Sequence, residues 1–100
     1  WKPEAHVANA FGIISGPAEQ VRLAFAERVS TYIKERTWHP SQTYRTLPDG
    51  RLELTMNVAN TVELRTWILG FGRDAEVMEP EQLRDEITRT IQQALQQYGA

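Results

Sequence analysis

The tightest constraint on this chain is a two-residue alternation in residues 51–58. Leu52, Leu54, Met56 and Val58 occupy one phase, while Arg51, Glu53, Thr55 and Asn57 occupy the other. That period belongs to a strand with one buried and one polar face. Just ahead of it, Pro48-Asp49-Gly50 joins a proline that presets one dihedral to a glycine that accepts a positive one, and residues 43–47 read as a preceding strand. The two segments form an antiparallel hairpin, so the rest of the chain must cover its apolar side.

Residues 21–25 (Val-Arg-Leu-Ala-Phe) alternate in the same manner and supply the first strand. From 26 to 36 the period lengthens: Ala26, Val29 and Ile33 share one side of a helix, with Glu27, Arg28, Lys34 and Glu35 toward water. Pro40 ends that helix, because its ring disfavours the α conformation at His39 and removes a donor. After the hairpin, Asn60 and Glu63 have the spacing of a helix cap, and Val62, Trp67, Ile68 and Phe71 form a stripe that Gly70 and Gly72 stop. Residues 75–78 make a short strand. Glu79-Pro80-Glu81 then opens a helix running to about Tyr98, with Leu83, Ile87, Ile91, Ala94, Leu95 and Tyr98 as its buried stripe and Asp85 paired with Arg89.

This order is the split βαβ of an α+β, ferredoxin-like βαββαβ sandwich with an additional C-terminal helix. Two helices cover one sheet face, and Arg51, Glu53, Thr55 and Asn57 look out from the other, partly under the final helix. Upstream, residues 3–11 suit a short helix, and Ser15-Gly16-Pro17 separates a connector arm, residues 1–20, from the domain, residues 21–100.

One hundred residues with 41% apolar content suffice for a single core. A net charge of −2 gives the whole chain no attraction for nucleic acid, so any such contact must be local. Cysteine is absent, which removes disulfides, thiolate metal sites and a cysteine nucleophile and suits a reducing, cytoplasmic setting. Apolar runs such as Trp67-Ile68-Leu69 fall far short of the roughly 18 to 20 residues that cross a bilayer. The amino end has neither a basic nor an apolar leader pattern and no initiating methionine, and it reads as a fragment of a longer protein.

For chemistry, His39 and Ser41 are two apart but have no glycine-rich nucleophile turn beside them. His6 and His39 are distant, and no H-E-x-x-H spacing occurs. The chain is therefore expected to be non-catalytic, with no metal and no cofactor. Trp67 and Phe71 belong to the core, whereas Trp38 suits either core or stacking. An RNA-recognition domain shares the element order, but residues 51–58 lack the aromatics it presents. Arg36, Arg45, Arg51, Arg65 and Arg73 gather at element ends, where guanidinium groups either clamp a phosphate or carboxylate or sit solvated.

Three segments in order, Glu35-Arg36-Thr37-Trp38-His39-Pro40-Ser41-Gln42, residues 63–72 (ELRTWILGFG) and residues 76–84 (EVMEPEQLR), resemble the carboxy-terminal extension domain, called WCX, of WYL-domain transcriptional regulators. The similarity covers residues 21–98, and Phe11-Gly12 resembles the family's connector from the preceding WYL domain. The resemblance implies a bacterial regulator whose amino-terminal winged helix-turn-helix binds operator DNA. Its central WYL domain, of Sm-like barrel fold, senses an effector, in some members single-stranded DNA, and its WCX domain helps form the homodimer and relay the signal. The Trp-Tyr-Leu tripeptide and a recognition helix are both absent here, so operator binding is assigned to the missing amino-terminal part. Arg36, Trp38, His39 and Gln42 are expected to form an exposed functional edge for a nucleic-acid or small-molecule effector or a partner, with Arg65 nearby and Arg51 a lesser candidate. The alternative is a free-standing small-molecule sensor of ferredoxin-like fold; a small enzyme or a structural assembly module of this fold are further rivals.

Overall fold

Alternating strands close one sheet in the computed structural model, which describes residues 18–99. β1 (Ala18–Phe25), β2 (Thr43–Thr46), β3 (Leu52–Ala59) and β4 (Ala75–Glu79) stand in the order β2-β3-β1-β4, every neighbouring pair antiparallel. Helix α1 (Ser30–Lys34) joins β1 to β2, α2 (Val62–Leu69) joins β3 to β4, and α3 (Glu81–Gln97) follows β4. This is the ferredoxin-like α+β sandwich with its added C-terminal helix. The first strand starts at Ala18, three residues before the alternation becomes visible, and the expected helix over residues 3–11 lies outside the described residues.

The core follows from register. Phe25 stands between Leu52 and Ala75, and Leu23 between Leu54 and Val77, so each row presents apolar side chains to the helices. Leu23, Phe25, Ile33, Leu54 and Leu64 are fully buried, and each such burial is worth about 1.5–3 kcal/mol. Phe25, Trp67 and Phe71 meet edge to face at 5.1–5.8 Å, so Trp67 and Phe71 pack on the core as their spacing predicts.

Three elements differ from expectation. The first helix is a 3-10 turn at Glu27–Val29 followed by only five α residues, in a stretch where β-branched Val29, Thr31 and Ile33 weaken helix propensity. Its end is instead held from outside, because the Trp38 indole and Tyr44 hydroxyl both reach the Ile33 carbonyl. The second helix is capped by Thr61, whose Oγ1 accepts the Leu64 N–H at 3.2 Å, and not by Asn60.

The third difference is in α3. Its first half joins the core through Leu83 and Ile87, beside Leu64, Ile68 and Val77, so it extends the helical layer and does not cover the polar sheet face. Its second half leaves the core: Ile91, Leu95 and Tyr98 are 50%, 52% and 87% exposed. Lengths explain this, since a 17-residue helix reaches about 25 Å while the five-residue β4 beneath it reaches only about 17 Å. Leu54→Ala should therefore lower unfolding stability by about 2–5 kcal/mol in a urea titration, whereas Leu95→Ala should change it by less than about 0.5 kcal/mol.

Candidate functional site

The segment between α1 and β2 turns a corner that holds four of the six candidate residues. Trp38 is inside this corner, 7% exposed, with its indole Nε1 donating to the Ile33 carbonyl at 3.0 Å and its ring 4.8 Å from that of Trp67. It is a core residue, which corrects the expectation of an exposed stacking group. Burying the indole is possible because its single donor is satisfied.

Gln42 closes the corner. Its Oε1 accepts the backbone N–H of Trp38 at 2.5 Å and of His39 at 3.0 Å, while its Nε2 donates to the Arg36 carbonyl at 3.0 Å and to the Tyr44 hydroxyl. One amide thus satisfies four partners, its full capacity. The Tyr44 hydroxyl in turn shares its proton between the Ile33 and Arg36 carbonyls.

Outside this staple lies the histidine. The His39 Nδ1 accepts the Ser41 N–H at 3.1 Å and lies 2.7 Å from Ser41 Oγ, which accepts the Asn57 N–H of β3 at 2.8 Å. Since a backbone N–H only donates, Nδ1 is the unprotonated nitrogen of a neutral ring. Burial also pushes the His39 pKa down. By accepting the Asn57 N–H, the serine hydroxyl clasps the loop to the sheet. Arg36 is exposed, its guanidinium 4.0 Å above the Tyr32 ring.

The remaining candidates lie elsewhere. Arg65 donates to Asn60 Oδ1 at 2.6 Å, and Asn60 Nδ2 donates to Glu86 at 2.6 Å, a chain that ties α2 to α3. That role occupies the Asn60 amide, which explains why Thr61 caps the helix. Arg51 sits beyond the opposite end of β2, bonded to Asp49 at 2.8 Å and to Glu76 at 2.7 Å. The six residues therefore occupy three places, not one edge.

The polar sheet face holds what sequence reasoning missed. Glu53, expected to look toward water, is 5% exposed, with Arg22 at 2.8 Å and Arg45 at 3.3 Å. In register, Arg45, Glu53, Ala24 and Glu76 form one row across the four strands, and Glu76 is held in turn by Arg51 and Arg84. Those two guanidinium groups lower the Glu76 pKa, and the Arg51 backbone N–H and side chain lower that of Asp49. An extra residue in β4, Met78, shifts the pairing so that Glu79 lies opposite Arg22, which it bonds at 2.9 Å. Four arginines thus meet four carboxylates, leaving no surplus positive charge to draw an anion to this face. The missed signal was strand order: the 2-3-1-4 arrangement alone brings the polar phases of three distant segments into one row.

Two outcomes follow from the corner. Gln42→Ala leaves the Trp38 and His39 amides without an acceptor and should cost about 1–3 kcal/mol in urea unfolding. Because the folded His39 has a pKa below its ordinary value of 6.5, the unfolded chain takes up the proton first, so stability falls as pH drops below that value and through the lowered one. Between about pH 7 and pH 5, the wild type should lose more stability than His39→Asn; equal slopes would contradict the assignment.

Residues 17–95 match the family model described as the WCX domain. Relatives include Protein PafC from two strains of Mycobacterium tuberculosis, CDC 1551 / Oshkosh and ATCC 25618 / H37Rv, each 35% identical over 89 residues, or 89% of this chain. The chain spans about a quarter of the length of these curated relatives, 27% of each. With the family model matched across the whole sheet and nearly all of α3, the chain belongs to the WCX domain family.

Proposed function

We propose that this domain is a non-catalytic regulatory module of a DNA-binding transcriptional regulator, where it helps pair two subunits and relays an effector signal between the other domains. The match over residues 17–95 carries this reading. In it, residues 1–20 are the connector from a preceding WYL domain, operator DNA is bound by an amino-terminal helix-turn-helix, and the protein works in the cytoplasm.

The internal geometry suits a relay more than a reaction centre. Trp38, Gln42, Ser41 and Tyr44 spend their polar groups on one another and on backbone, which makes the corner stiff. The surface left for a partner there is the Arg36 guanidinium stacked on Tyr32 together with the exposed Thr37, Pro40 and Ser41, and His39 is half-buried. Arg65 and Arg51 contribute as spacers between elements. Among the described residues no group of three or more His, Asp or Glu is placed to hold a metal, and no helix is long and apolar enough to cross a membrane. Relay requires the effector to favour one arrangement of subunits over another, and a stiff module transmits that preference without absorbing it.

Chromatin immunoprecipitation of the full-length protein, with and without residues 18–97, tests the reading. The intact protein should enrich promoter DNA, deletion should abolish regulation of the neighbouring transcripts, and the isolated domain should enrich no DNA. Unchanged regulation by the deleted protein would contradict it.

A further inference from the structure

The second half of α3 exposes the apolar side chains that a monomer would be expected to hide. Ile87, Ile91, Ala94 and Tyr98 are spaced four, three and four apart, the seam of a paired helix, yet only Ile87 of these reaches the core. Beside them, between α2 and α3, lies a groove of about 290 Å³ lined by Ile68, Leu69, Arg73, Ala75, Ile87 and Ile91. We propose that α3 packs antiparallel against α3 of a second copy of this chain, about a two-fold axis at Ile91, so that Leu95 of each copy enters the groove of the other. The inference rests on the reading of this domain as a pairing module and names the surface that does the pairing.

Charge selects a second copy over other occupants. A surface that meets itself across a two-fold axis cannot carry like charges near that axis, and the positions that share the face of Ile91 within one turn on either side, Ile87, Thr88, Ala94 and Leu95, are all uncharged. The helix has no basic residue in its last turn to offset the negative end of its dipole. Arg73, at the groove's rim, has no hydrogen-bond or ion-pair partner among the described residues. Antiparallel pairing brings these two together, the carboxyl end of one helix against Arg73 of the other chain, and symmetry makes the contact twice. Position agrees as well: residues 87 and 95 are each four from Ile91, about 6 Å along the axis, so Leu95 arrives opposite Ile87 at the groove.

Sedimentation velocity on the 100-residue chain over a concentration series tests this, with circular dichroism to check folding. The wild type should dimerise reversibly. Ile91→Asp, at a position already half exposed, should stay folded and weaken the dimer at least about tenfold, because it places two carboxylates at the axis. Arg73→Glu should weaken it by a smaller factor. As the chain has no cysteine, Ile91→Cys should cross-link to itself under mild oxidation. A dimer indifferent to Ile91→Asp, or one that Ile91→Cys fails to cross-link, would overturn the α3 seam while leaving pairing itself in place. A chain monomeric at every concentration would overturn both and give the groove to another segment or domain.

Discussion

Strand β3 has to satisfy two chemistries at once, and the remainder of the fold is arranged around that demand. Leu52, Leu54, Met56 and Val58 on one side require the helices that cover them. Glu53 on the other side, almost without access to water, requires Arg22 from β1 and Arg45 from β2. An ion buried in this way is costly unless paired, so the arginines are obligatory partners and not surface ornament. β1 therefore contributes both buried apolar neighbours, Leu23 and Phe25, and a cation, Arg22, whereas the exposed edge strand β2 contributes the cation Arg45.

The corner at residues 36–42 solves a related problem by local means. A short helix ends early, a large indole must turn inward, and several backbone groups would be stranded without partners. Gln42 supplies the acceptor and donor together, Tyr44 covers two carbonyls, and Ser41 reaches over to the Asn57 amide where β2 has not yet begun. The consequence for function is that the most distinctive sequence in the chain is largely scaffolding. Its exposed residues are Arg36, Thr37, Pro40 and Ser41, with His39 half-buried.

What could be read from the sequence was whatever depends on near neighbours. The alternation of β3 and the Pro48-Asp49-Gly50 turn with Gly50 at φ 93° are local, and the fold class followed from the order of such segments, whereas the first helix stops at Lys34, well ahead of Pro40. The burial of Glu53 was not legible, because it depends on the polar phases of β1 and β2 arriving at its sides. The placement of Glu79 opposite Arg22 depends on an extra residue at Met78, which no periodicity reveals. The outward half of α3 depends on comparing its length with that of β4. Trp38 failed as an exposed edge for the same reason: its burial is decided by Trp67, nearly thirty residues later.

If the corner is scaffolding, its loop amides should behave as core amides. Native-state hydrogen exchange measured by NMR reports this residue by residue. The Trp38 and His39 amides, held by Gln42, and the Asn57 amide, held by Ser41, should exchange nearly as slowly as those of Leu23 and Leu54 in the central strands. Exchange at these three amides as fast as in an exposed loop would contradict the account.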